Sequence, residues 1–216
     1  MSAGLAQASA DDDRAAAIAQ SLRSHECVDD ARLAGDWLLM VPSERGAGVL
    51  RRYGKAALLE RCRAALPGSQ AELAARLRWR LLESLPAAGS SVEAACMQPI
   101  RQPTVRALEA LAAGSLRCEF RVPFDLAVFE GHFPVIPVVP AVTQIGWALD
   151  LARQHLGCGG RVAGIVGAKF RRLMQPGMPL VLMLEIPPGR DRLRFEYCTA
   201  GAPVSTGRLA LVAAND

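Results

Sequence analysis

The second half of the sequence predicts an α+β fold in which one long helix packs against an antiparallel sheet. Two patterns support this prediction. Between Pro140 and Gly157, apolar residues recur every three or four positions, which is the period of a helix with one buried face. Before this segment, residues 116–122 alternate apolar and charged residues, which is the period of a half-buried strand, and after it several runs are separated by turn sequences.

The predicted helix follows a loop that contains a histidine and three prolines. Pro134, Pro137 and Pro140 each fix their own φ and restrict the residue before them. The loop around His132 therefore loses little conformational entropy on folding, which suits a site that must aim an imidazole. Gly157 is expected to end the helix. The expected buried face of the helix consists of Val142, Ile145, Leu149, Ala152 and Leu156.

Five strands are predicted around this helix, and turn sequences separate those that follow it. In the first strand, Leu116, Cys118 and Phe120 alternate with charged residues. Glycine and proline mark the turns at residues 176–177, 187–189 and 201–203. The four later strands are expected over residues 162–170, 180–186, 193–199 and 204–212.

The first half of the sequence predicts a small α/β segment. Helices are expected over residues 14–24, 49–66 and 104–112, and a strand is expected over residues 36–41. Residues 77–85 fit either a strand or a short helix, because periodicity alone does not separate the two in so short a run. These patterns divide the chain into a first domain of residues 1–114 and a second of residues 115–216.

Composition narrows the classes of function. The 216 residues carry a net charge of +4 and contain no basic run with interleaved aromatics, so a nucleic-acid partner is not expected. The six cysteines stand singly and the three histidines are not spaced as ligands, which argues against a metal site and for reduced thiols. Neither a signal peptide nor a membrane span is visible, so we expect a cytoplasmic protein.

Several separated motifs in the second half carry a family resemblance. Residues 131–134 read Gly-His-Phe-Pro, residues 137–140 read Pro-Val-Val-Pro, and residues 142–145 read Val-Thr-Gln-Ile. Residues 169–172 (Lys-Phe-Arg-Arg) and 175–177 (Gln-Pro-Gly) follow at matching intervals. In order and spacing these motifs resemble the hotdog-fold 3-hydroxyacyl-acyl-carrier-protein dehydratases of fatty-acid and polyene synthesis. The resemblance covers about residues 115–216.

This resemblance implies a mechanism and a set of partners. His132 would be the base, and the backbone N–H of Ala141, where the family has glycine, would bind the thioester oxygen at the helix N-terminus. The substrate would arrive on the phosphopantetheine of an acyl carrier protein, without a separate cofactor. Two protomers would join their sheets edge to edge, as a homodimer or as a heterodimer with another hotdog protein.

The family's catalytic carboxylate is missing. Gly146 stands where the family places glutamate or aspartate. Asp150 lies one turn later, about 5.4 Å further along the helix, so it would need a bridging water to replace that group. It is more simply a surface or interface carboxylate, and Glu130 beside the loop is more simply a solvated one. The remaining alternatives are a carboxylate from a homologous subunit, or a glycine that makes room for a bulky acyl chain.

The resemblance also implies a substrate-binding set that surrounds the gap and the expected entrance. Lys169 and the two arginines after it would meet the phosphate and the acidic carrier, although a solvated strand edge explains them equally well. Trp147 would line an acyl tunnel or simply pack between helix and sheet. The full set is Phe133, Val142, Gly146, Trp147, Lys169, Arg171 and Arg172.

The first half resembles, less strongly, the small C-terminal domain of acyl-adenylate-forming ligases. The matching features are Val-Asp-Asp-Ala at residues 28–31, the strand at Trp37, Gly54-Lys55 and the arginine-rich run ending in Leu-Pro. The catalytic lysine of that family is absent, so adenylation is not expected. The resulting hypotheses are a dehydratase of fatty-acid or aryl-polyene-type pigment synthesis, a non-catalytic acyl-binding or scaffold subunit, and a hotdog thioesterase.

Overall fold

A computed structural model of the chain describes residues 16–87, 98–189 and 191–212. Within these ranges the chain forms two units, and each unit takes residues from two separate parts of the sequence. The first unit consists of residues 1–101 and 123–137, and the second of residues 102–122 and 138–216.

The first unit is a small α/β structure with a three-stranded sheet. Strand β2 lies in the middle, with β1 antiparallel to it and β3 parallel to it. The strand predicted over residues 36–41 is thereby confirmed, and the ambiguous run at residues 77–85 contains strand β3. In chain order the elements are α1 (residues 16–23), β1 (Val28–Ala34), β2 (Trp37–Pro42), α2 (Glu44–Ala64), α3 (Gly68–Arg76) and β3 (Arg78–Leu81).

Helix α2 has a sharp interruption at Gly54. It begins at Ser43, whose hydroxyl accepts a hydrogen bond from the Gly46 N–H at 3.1 Å. Gly54 has φ of +82° and breaks the helical geometry in mid-course. A residue with a side chain rarely adopts this φ, so glycine is the residue suited to the kink. The helix predicted over residues 49–66 is confirmed, with an earlier start.

The second unit contains a six-stranded antiparallel sheet and one long helix. The order of strands is β4-β5-β7-β8-β9-β6, and α4 packs on β5, β7 and β8. This confirms the predicted α+β class and the helix-on-sheet arrangement. The elements are β4 (Val105–Ala112), β5 (Ser115–Arg121), α4 (Ala141–Leu156), β6 (Arg161–Phe170), β7 (Pro179–Glu185), β8 (Arg192–Thr199) and β9 (Ala202–Val212).

The helix predicted over residues 104–112 is wrong, because this segment is strand β4. Its alanines, leucines and glutamate favour a helix locally. Strand β4 instead pairs antiparallel with β5, with Glu109 opposite Arg117 and Leu108 opposite Cys118. Pairing with a neighbouring strand therefore overrides the local preference. The sheet gains a sixth strand as a result.

The predicted buried face of the long helix is also mostly wrong. Val142 is 74% exposed, and Ile145, Leu149 and Leu156 are only partly buried. Apolar residues occupy much of the circumference of α4, so their spacing alone does not show which stripe meets the sheet. The large Trp147 ring, 2% exposed, lies on the face that does. That buried face consists of Gln144, Trp147, Ala148, Leu151 and Ala152.

Candidate functional site

His132 lies in the segment of residues 123–137, directly after a short 3-10 helix, Ala127–Glu130. The His132 N–H donates to the Val128 carbonyl at 3.0 Å. Its ring stacks on the ring of Phe133, with 4.2 Å between the centroids. The peptide bond between these two residues is cis. The imidazole is half-buried, and Phe133 is largely exposed beside it.

Helix α4 begins without a side-chain cap. Pro140 occupies the N-cap position and makes no side-chain hydrogen bond to the helix. The first N–H groups of a helix have no partner within the helix, and the helix dipole favours negative charge there. Ala141, the predicted thioester donor, is the first residue of α4 and is exposed. The N-terminal amides of α4 are thus suited to receive a carbonyl or oxyanion.

A buried polar network anchors the first turn of α4 to the sheet. The sequence patterns did not predict this network. The Gln144 side chain donates to the Val139 carbonyl at 3.0 Å and accepts from the Ser205 hydroxyl at 2.7 Å. The Tyr197 hydroxyl donates to the Gln144 carbonyl at 2.7 Å. Burial raises the pKa of Tyr197 well above its ordinary value, so this donor keeps its proton. A polar glutamine in an otherwise apolar stretch of the predicted helix could have indicated buried hydrogen bonds at this position.

Position 146 has no functional group and has space for one. Gly146 is half-buried, and a Cβ built there would have no described heavy atom within 4 Å beyond its own helix and chain neighbours. Asp150, one turn later, accepts a hydrogen bond from the Gln102 side chain at 3.2 Å. The ring of Trp147 packs edge-on against Phe120, with 5.9 Å between centroids. This contact matches the interpretation of Trp147 as a core residue, and its role as a tunnel wall stays a prediction.

The predicted basic residues lie at one end of the sheet of the second unit. Lys169 lies on β6. Arg171 and Arg172 come directly after the end of this strand. Both Lys169 and Arg171 border a groove of about 590 Å³ that crosses several strands. Four cations and two carboxylates line this groove, so its charge is net positive. These charged groups are Lys169, Arg171, Arg194, Arg208, Glu185 and Glu196.

The described residues contain neither a group of metal ligands nor a helix suited to cross a membrane. Among residues 16–87, 98–189 and 191–212, no three His, Cys, Asp or Glu side chains are grouped to hold a metal ion. Over the same ranges, no helix combines the length and apolar character that a membrane crossing requires.

Residues 109–208 match the model of the ApeI-like family, described as ApeI dehydratase. A 3-hydroxyacyl-[acyl-carrier-protein] dehydratase FabZ of Levilactobacillus brevis is 32% identical over 93 residues, covering 40% of this chain and 63% of that protein. The FabZ of Latilactobacillus sakei is 37% identical over 79 residues, covering 33% of this chain and 56% of that protein. The chain therefore spans about three fifths of the length of these curated relatives.

Among solved structures, the chain is similar to the dehydratase heterocomplex ApeI:P from Xenorhabdus doucetiae. The identity is 30%, the match covers 51% of this chain and 97% of that one, and the TM-score is 0.48. The matched residues 109–208 include the motifs around His132 and most of the sheet and helix of the second unit. Residues 109–208 are thus similar in sequence to hotdog-fold, 3-hydroxyacyl-acyl-carrier-protein dehydratase-like proteins, the ApeI-like family and FabZ among them.

Proposed function

We propose that the chain acts on 3-hydroxyacyl groups held as thioesters on an acyl carrier protein, with His132 as the general base of a dehydration. The observation that carries this proposal is the Gly-His-Phe-Pro motif at residues 131–134 within an ApeI-like sequence. The curated relatives are named as dehydratases of this substrate class. The setting we propose is fatty-acid or aryl-polyene-type pigment synthesis, which the family resemblance of the sequence motifs implies.

The reaction requires one proton to leave carbon and another to reach oxygen. His132 takes the proton from C2, the bond between C3 and its hydroxyl oxygen breaks, and the electrons of the C2–H bond form the double bond. The hydroxyl leaves as water after it has received a proton. Histidine is the side chain best suited to accept a proton near neutral pH.

Negative charge develops on the thioester oxygen during this step. We assign its stabilisation to the N-terminal amides of α4, with the Ala141 N–H as the donor. The absence of a side-chain cap at Pro140 supports this assignment, because the N-cap residue itself does not occupy those amides. The buried contacts of Gln144 support it further, because they hold the first turn of the helix in one position.

The proton for the leaving hydroxyl has no source at position 146. Asp150, already bonded to Gln102, remains the substitute within the chain, acting through a water. A second subunit is the other source. Strand β6 forms one edge of the sheet and exposes Val162, Ile165 and Phe170, which favours pairing with another hotdog protomer. We propose a heterodimer as well as a homodimer; the ApeI:P protein of Xenorhabdus doucetiae is itself a dehydratase heterocomplex.

The groove at Lys169 and Arg171 is proposed as the entrance for the carrier. Its net positive charge suits the phosphate of phosphopantetheine and an acidic carrier surface. Arg172, exposed beside it, extends the same charge. Phe133 and Val142, both exposed, are proposed to contact the acyl chain.

The test uses a 3-hydroxyacyl group on a carrier protein, and mass spectrometry follows the loss of water. We expect the full chain to dehydrate the substrate and His132→Ala to reduce the rate by about 100-fold to 10,000-fold, the usual contribution of a general base. His155→Ala is the matched control, since His155 is an exposed histidine in the last turn of α4. Equal rates in the wild type and His132→Ala would overturn the proposed base.

A second function is favoured by one observation, the glycine at position 146. On this alternative the chain is a non-catalytic, acyl-binding subunit that completes a dimer with an active homologue. It predicts carrier-substrate binding without turnover by the chain alone, and turnover when a hotdog partner with a helix carboxylate is added. Release of free thiol in the same assay would instead indicate a thioesterase.

A further inference from the structure

The segment that carries His132 is built into the first unit rather than the second. In sequence, residues 123–137 stand between β5 and α4, which both belong to the second unit. Phe124 is nevertheless part of the hydrophobic core of the first unit. The Ala127 N–H donates to the Ile100 carbonyl at 2.8 Å, and Ile100 and Leu126 form an isolated parallel bridge. The N-terminal part of the chain thus supplies the packing of this loop.

Asp125 is the polar anchor at the start of the loop. Both of its carboxylate oxygens accept from the Lys55 ammonium, at 2.7 and 2.9 Å. The Arg80 guanidinium lies 3.7 Å away, and the Leu81 N–H donates at 3.4 Å. The Asp125 side chain is only 13% exposed. A carboxylate so far removed from water requires partners of this kind, and α2 and β3 supply all of them.

Gly54 contacts the other end of the loop. A Cβ at this position would overlap the carbonyl oxygen of Pro134, two residues after His132. The backbone of α2 therefore lies directly against the backbone of the loop, and only glycine permits both this approach and the kink. Two consecutive residues, Gly54 and Lys55, thus hold the loop on either side of the histidine.

A small cavity separates these two points of attachment. Its volume is about 250 Å³, and most of its wall is apolar. The loop side chains that line it, Phe124, Leu126 and Phe129, are buried. Apolar packing therefore acts together with the ion pair and the glycine contact in positioning the loop. The apolar lining consists of Leu50, Ala56, Phe124, Leu126, Phe129, Pro134 and Pro137.

We infer that Gly54 and Lys55 are positioning residues for His132, and that the first unit serves as a support for the histidine loop. This inference rests on the proposed role of His132 as the base. It gives a function to the ligase-like Gly-Lys pair without any adenylation. Neither residue touches the reacting atoms; each acts through the loop.

The test uses the full chain with Lys55→Met, which removes the ammonium and keeps most of the stem. The first readout is independent of activity: the NMR signals of the His132 imidazole, assigned by their loss in His132→Ala. We expect Lys55→Met to shift or broaden these signals and to leave those of His25 and His155 in place. The second readout is steady-state kinetics, in which kcat falls by about 10-fold to 100-fold with little change in KM, the effect of a misplaced catalytic group. Lys55→Arg should restore both readouts.

Arg45→Met is the matched control, because it removes an exposed ion pair of the same helix, with Glu26 at 2.9 Å. Asp125→Asn is the second variant. It keeps the size of the side chain and removes its charge, so the inference can still be tested if Lys55→Met does not fold. Unchanged His132 signals in Lys55→Met or Asp125→Asn, or an equal change in Arg45→Met, would overturn the inference. Shifted His132 signals in a protein that never dehydrates would support the positioning role and reject the proposed function. Turnover that depends on His132 but not on Lys55 would support the proposed function and reject the positioning role.

Discussion

The loop of residues 129–137 and helix α4 carry the two sides of the proposed chemistry, and they are built differently. The loop keeps its histidine and is held by a partly buried ion pair and a close backbone contact within the first unit. Helix α4 keeps its place on the sheet through aromatic packing and neutral hydrogen bonds, but it carries glycine where the family has an acid. The loop that carries the proposed base thus has specific polar support, whereas position 146 of the helix has no side chain. In the proposed reaction the loop therefore offers the base, whereas the helix offers its N-terminal amides but no acid at position 146.

The largest expected effect is on the structural role of the helix. Trp147→Ala should lower the free energy of unfolding by about 3–5 kcal/mol, because it leaves a cavity between α4 and Phe120. Urea denaturation measures this as a fall in the midpoint. Val142→Ala, at an exposed position of the same helix, should stay within about 0.5 kcal/mol of wild type. Equal destabilisation by the two variants would mean that the buried face is assigned wrongly.

A smaller effect is expected from the polar anchor of α4. Ser205→Ala removes the donor to the Gln144 side-chain oxygen and leaves that buried acceptor without its partner, at a cost of about 1–3 kcal/mol. Thermal unfolding should show the loss. Ser115→Ala, on a partly buried serine of β5, serves as the control. If Ser205→Ala unfolds at the wild-type temperature, the network does not secure the helix start.

The last comparison concerns the buried thiols of the two units, whose effect on stability is absent at neutral pH and appears only in alkaline solution. Burial raises the pKa of Cys62, in the first unit, to about 12 and that of Cys118, in the second, to about 11, from an ordinary value of 9.0. Above pH 9 the unfolded chain loses these protons and the folded chain keeps them, so stability falls with rising pH. The loss should extend to about pH 11 for Cys118 and about pH 12 for Cys62. Cys62→Ala and Cys118→Ala should each flatten this dependence, and an unchanged slope in both would contradict it.

Much of the second unit was predictable from the sequence because its signals are local. Proline spacing marked the loop of His132, and Gly157 has the left-handed φ expected of a helix end. The errors came where distant contacts decide. Strand β4 was assigned as a helix because pairing with β5 overrides its composition. The partnership of Lys55 with Asp125 joins residues 70 positions apart, so no local pattern could have indicated it.

The central claim is that the chain retains a base at His132 and lacks the acid at position 146. The most direct measurement compares dehydration rates of a carrier-bound 3-hydroxyacyl substrate in Gly146→Glu and Gly146→Gln, which differ in the proton and hardly in size. A Cβ at position 146 would have no described heavy atom within 4 Å outside its own helix and chain neighbours, so both variants start without a clash. We predict that glutamate gives a rate about 100-fold or more above glutamine, the usual contribution of a general acid, and that adding His132→Ala removes the gain. Equal rates for glutamate and glutamine, or a gain that survives without His132, would contradict the claim.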